Sequence, residues 1–161
     1  MDVLDAVGAF GNVQHTAFGL VECLLQQHGH IFQDGREMSA RLQRPLEAMS
    51  LTAHTALIFA FSNDVSPELV FAQQVLAYGR RGDMLLGLST SGNSTNVVRA
   101  FQVARTLGVR TLALTGAQGG LLKDLADVCI SVPATETYAA QELHLPIYHA
   151  LCSMLEAGFF S

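Results

Sequence analysis

The chain has 161 residues, half of them hydrophobic, and a formal net charge of -5 with nine Lys plus Arg. That length supplies one core of ordinary domain size and leaves no room for a second full domain, and so few unclustered cations exclude a broad nucleic-acid face, which needs Lys and Arg gathered against phosphate. No stretch reaches the ~18 uninterrupted apolar residues of a membrane span, and the opening MDVLDAVGAF lacks the basic start of a secretory signal, so a cytoplasmic protein with no membrane partner is expected.

In chain order, Val3, Val7, Phe10, Ala17, Val21 and Leu24 recur at spacings near 3.6. They predict one long amphipathic helix over residues 1–28, despite Gly8, Gly11 and Gly19, ahead of an α/β core over 29–161. HIF at 30–32 and EAMSLT at 47–52 read as short strands. SPELVFAQQVLAYG at 66–79 reads as a helix with Ser66 as N-cap, Pro67 at the first helical position, Glu68 in the first turn and an end near Gly79. MLLGLS (84–89), RTLALT (110–115) and DVCISV (127–132) are apolar runs of strand length. The helix between the first two places Val97, Val98, Phe101, Ala104 and Leu107 on one face and stops at a glycine. Buried strands alternating with helices imply a parallel sheet covered on both faces, because parallel neighbours need crossover connections. The predicted fold is a single doubly wound, flavodoxin-like α/β domain spanning 1–161. Cys23, Cys129 and Cys152 are an odd number without metal-type spacing and read as reduced, buried thiols.

In such sheets ligands bind beyond the carboxyl ends of the strands, which is where STSGNST falls. Ser89, Thr90, Ser91 and Ser94 offer hydroxyl donors, Gly92 permits close backbone approach, and the following helix start presents free N–H groups. Those features suit a phosphate held without a lysine. The competing reading is purely structural, with Ser94 or Thr95 capping the helix and the other hydroxyls closing a turn.

The run GDMLLGLSTSGNSTNVVRAFQVARTLGVRTLALTGAQGGLLKDLADVCISVP, with RPLEAMSLTAHTAL and FSND upstream and ETYAAQELHLPIYHAL downstream, closely resembles the sugar isomerase (SIS) domain family in its phosphoheptose isomerase branch. The resemblance implies a phosphosugar-binding aldose–ketose isomerase acting on sedoheptulose 7-phosphate or a similar sugar phosphate. It further implies a homotetramer whose site lies between subunits. It assigns the phosphate to Ser89, Thr90, Ser91 and Ser94, substrate contacts to Asn63, Asp64 and Gln141, and acid/base proton transfer to His149. Gln141 and His149 also match metal contacts of the family, where zinc is the implied ion. Within HIFQDGREMSA, Gly35, Ser39 and Ala40 fit the family's earlier glycine-rich turn, which makes Ser39 a further substrate-binding candidate. Arg36, Glu37 and Met38 depart from it, and SARLQRPLEAMS passes to the next element without the helix that carries the family's other metal-binding His and its Glu. His15 within NVQH, His54, Glu136 and Glu142 are the remaining polar candidates, while His144 and Tyr148 read as packing or interface residues. Because that helix is missing, a second reading stands beside the isomerase: a non-catalytic phosphosugar-binding or protein-binding module resembling the DnaA initiator-associating protein.

Overall fold

The computed structural model describes residues 17–18 and 47–160. Four parallel strands lie in the order β1 (Ala17–Phe18), β2 (Met84–Ser89), β3 (Arg110–Thr115) and β4 (Val128–Ser131). Helix α1 (Thr55–Asp64) and α2 (Val70–Tyr78) precede β2. Two crossovers, α3 (Thr95–Leu107) and α4 (Gly120–Leu125), link the central strands, and α5 (Thr137–Phe160) closes the described chain.

The alternation of side chains along each strand divides the core into two layers. Leu85 and Ala113 share one buried cluster with Val75 of α2, with Val98, Phe101 and Ala104 of α3, and with Leu122 of α4. Met84, Leu86, Leu112, Leu114 and Val128 share the other with Leu151 and Cys152 of α5. Helices therefore cover both faces of the sheet, as the run-type strands predict. Gly87 is required by close packing: a Cβ there would collide with the Phe101 ring, which is itself fully buried. α3 ends at Gly108, where the Val109 N–H donates back to the Ala104 carbonyl at 2.9 Å.

β2 and β3 match the predicted strands end to end. In DVCISV the ladder is confined to Val128–Ser131, because Asp127 turns its carboxylate onto β3: Oδ2 accepts from the Thr111 N–H at 2.7 Å and the Thr111 hydroxyl at 3.0 Å. Three other expectations need correction. EAMSLT forms no strand; Ser50 and Thr52 pair through their hydroxyls at 2.8 Å and the Ala53 N–H donates to the Ser50 carbonyl, so local hydroxyl and turn bonds displace a ladder. Ser66 closes a turn, its Oγ accepting from the Glu68 N–H at 3.2 Å, and α2 starts four residues further on, at Val70. Finally, Ala17–Phe18 pairs in parallel with Met84 and Leu85 inside the segment expected to be one continuous helix. Helix-weakening glycines at 11 and 19 bracket that pair. The rest of that segment, and HIF, lie outside the described residues. No helix among the described residues is long and apolar enough to cross a membrane.

Candidate functional site

The loop after β2 is a backbone structure before it is a side-chain one. It turns with the Gly92 N–H donating to the Ser89 carbonyl at 2.9 Å, and Gly92 takes a φ of +67°, a conformation that penalises any Cβ. A side chain there would also strike the Gly119 carbonyl of the loop after β3. That second loop and the first turn of α4 brace the first. The Gly116 N–H donates to the Thr90 carbonyl (2.9 Å), the Leu122 N–H to the Gly92 carbonyl (3.0 Å) and the Leu121 N–H to Asn93 Oδ1 (2.9 Å). STSGNS and TGAQGG therefore form one double-loop unit at the carboxyl edge of the sheet.

Within that unit the hydroxyls divide. Ser89 is buried and its Oγ lies 2.9 Å from the Ser94 Oγ. One of the two hydrogens bridges them, which leaves the other hydroxyl hydrogen free to donate to a ligand. Ser94 occupies the N-cap position of α3 but makes no side-chain cap bond, so capping does not account for it. Ser91 is exposed and its Oγ accepts from the Asn93 N–H at 3.1 Å. It serves the turn.

α5 supplies the opposite wall. A cavity of about 370 Å³ is lined by Leu88, Ser89, Thr90 and Ser94 on the loop side and by Gln141, His144 and Tyr148 on the helix side. Its volume suits a small phosphorylated metabolite, and its walls combine hydroxyls, an amide, an imidazole and one aliphatic residue. Residues 141, 144 and 148 are spaced i, i+3 and i+7, so one face of α5 presents all three. His149 is rotated about 80° from Gln141 and rises about 12 Å beyond it. It is exposed, stands outside the cavity lining and packs edge to face on the Tyr148 ring, with ring centres 4.9 Å apart.

Of the other candidates, Asn63 and Asp64 end α1, both exposed, with the Asn63 amide donating to Asp64 Oδ1 at 2.8 Å. Neither lines the cavity. His54, Glu136 and Glu142 are exposed and also stand off its walls; Ser39 and His15 lie outside the described residues. Sequence reasoning set His144 and Tyr148 aside as packing, although their helical phase with Gln141 was the signal that joins them to the site.

The donors among the described residues do not make up a zinc site by themselves. α5 continues unbroken through Pro146, so Gln141 and His149 cannot converge on one ion, and no group of three or more His, Cys, Asp or Glu that could hold a metal occurs among the described residues. A catalytic zinc normally takes three protein ligands.

A family model for the SIS domain matches residues 36–116. Phosphoheptose isomerase of Akkermansia muciniphila is 47% identical over 121 residues, covering 74% of this chain and 64% of its own length. That of Nitratiruptor sp. is 44% identical over 152 residues, covering 94% of this chain and 73% of its own. The solved phosphoheptose isomerase of Francisella tularensis superposes with a TM-score of 0.80 at 28% identity, over 96% of this chain and 85% of that one. The chain thus spans just under two thirds of the length of the Akkermansia relative.

Proposed function

The chain belongs to the SIS domain family, and on that premise we propose that it is a cytoplasmic sugar-phosphate isomerase of the phosphoheptose type, acting on sedoheptulose 7-phosphate or a close analogue. One observation carries the reading: the braced hydroxyl loop and the polar face of α5 enclose a single cavity at the carboxyl edge of the sheet. The phosphate is placed against Ser89, Thr90 and Ser94 and the uncapped first turn of α3, where hydroxyl donors and backbone N–H groups meet an anion without a counter-cation. The sugar then extends toward Gln141 and Tyr148. Isomerisation moves a proton between adjacent carbons through an enediol and needs a base within hydrogen-bond reach of both. His149 is the proposed base. Since it stands off this chain's own cavity, that role requires a site completed by another subunit. The proposed homotetramer is supported by large apolar side chains left in solvent on α1 and α5: Phe59 is 75% exposed and Tyr138 71%. The relatives' isomerase names favour this reading over the binding-module alternative.

The test is direct. Sedoheptulose 7-phosphate is incubated with the full chain, with and without zinc, and followed by NMR in deuterated water. Growth of aldose anomeric signals with deuterium entering at the exchanging carbon is the expected result. Tight binding without either change would sink the isomerase and leave a phosphosugar-binding module.

A further inference from the structure

The buried imidazole on the cavity wall has a fixed hydrogen-bonding polarity. His144 is 2% exposed, and its Nε2 lies 3.1 Å from the Thr115 carbonyl oxygen. A carbonyl only accepts, so the Nε2 must carry the proton of that bond. Thr115 is the last residue of β3, and its carbonyl also accepts the Val132 N–H at 2.9 Å, so both of its lone pairs are engaged and neither partner can be exchanged without loss. The ring is therefore anchored to the carboxyl edge of the central sheet, and in the neutral imidazole Nδ1 is left as a bare acceptor.

From this we infer that His144 is a sugar-orienting residue: its Nδ1 accepts a hydrogen bond from a hydroxyl of the bound sugar phosphate. The inference rests on the function proposed above and adds to it a specificity determinant. The chemistry of the cavity wall singles the residue out. The Ser89, Thr90, Ser94 and Tyr148 hydroxyls and the Gln141 amide can each donate or accept, whereas Nδ1 in this tautomer can only accept. The doubly ionised phosphoryl group of a sugar phosphate, which has no hydrogen to give, gains nothing from it. A polyol, rich in hydroxyl donors, does. His144 thus favours one orientation of the ligand, with phosphate toward the β2–α3 loop and the hydroxyl-bearing carbons toward α5.

Two ligands and one variant separate this role from a structural one. His144→Gln keeps an N–H donor for the Thr115 carbonyl and moves the remaining acceptor, its amide oxygen, off the Nδ1 position. In calorimetric titrations of the full chain, the variant is expected to bind inorganic phosphate within about twofold of wild type while its affinity for sedoheptulose 7-phosphate falls about fivefold to tenfold, the loss of one net hydrogen bond. Equal losses for both ligands, or no loss for either, overturn the inference. ¹⁵N NMR of the wild-type imidazole decides the matter even if the variant does not fold. The expected result is a protonated Nε2 and an unprotonated Nδ1 whose resonance moves with sedoheptulose 7-phosphate but not with inorganic phosphate; a proton on Nδ1, or no response to the sugar, overturns it. Wild-type protein that binds neither ligand overturns the proposed function and this inference together, whereas wild-type binding with an unresponsive imidazole overturns this inference alone.

Discussion

The β2–α3 loop and helix α5 face each other across one cavity, yet they are held there by opposite means. The loop is fixed by backbone: three N–H groups, one from the loop after β3 and two from the first turn of α4, donate into it, and Gly92 lies against Gly119 with no room for a side chain between them. The helix is fixed by sparse side-chain burial. Of its 24 residues, Ala140, His144, Leu151 and Cys152 are buried, and Tyr138, Leu143, Leu145 and Phe159 remain in solvent. A loop built this way should tolerate little change anywhere, whereas a helix seated on a few contacts should fail at those contacts and be indifferent elsewhere.

The sharpest way to break the contrast is Gly92→Val. A β-branched residue at a φ of +67° facing the Gly119 carbonyl is expected to cost about 4 kcal/mol in denaturant unfolding. It should also abolish binding of inorganic phosphate; a variant that kept that binding would show that the loop is not the anion site. Next is Leu151→Ala, which empties a position 2% exposed between α5 and the sheet. Unfolding should show a loss of about 3 kcal/mol, with phosphate affinity kept within about twofold because the double-loop unit does not depend on that contact. Phosphate binding that collapsed with it would erase the distinction between the two walls.

Asp127→Ala acts at the other edge of the sheet, where the carboxylate receives two hydrogen bonds from Thr111 and lies 3.7 Å from Arg110 Nε. About 2 kcal/mol of stability should be lost, and titration with phosphate should register no change. Smallest is Phe59→Ser on α1, a helix with no buried residue. Chemical unfolding should move by about 0.5 kcal/mol or less, while sedimentation reads whether this face holds subunits together; an unaltered assembly would remove α1 from the proposed tetramer contacts.

The same contrast explains what could be read from the sequence. β2, β3, α3 and the β2–α3 loop were legible because each is specified locally, by apolar runs of strand length, a 3.6-residue period ending at a glycine, and hydroxyls clustered at a strand end. Ser89, Thr90 and Ser94 fall where that reasoning puts them, and Gln141, carried over by family likeness, stands opposite. The short hydroxyl-rich segment EAMSLT misled, since Ser50 and Thr52 satisfy each other and their own turn in place of a ladder partner. α1 was missed because its apolar residues recur without a buried stripe. His144 lines this chain's own cavity and His149 stands off it for a tertiary reason. Family likeness points to His149, but the phase of α5 and the second lone pair of the Thr115 carbonyl at the end of β3 decide which imidazole meets this chain's cavity, and neither is written in the residues near it.

The amide hydrogens of Gly116, Leu121 and Leu122 carry one more implication. They belong to the loop after β3 and the first turn of α4, yet each is shielded by an acceptor in the loop after β2. Their exchange with solvent deuterium should therefore report on a neighbour they are not part of, slowing in concert when an anion settles at residues 89–94. Occupancy of the site would become visible at positions that never touch the ligand, as a protection pattern spanning two loops separated by a whole helix and strand.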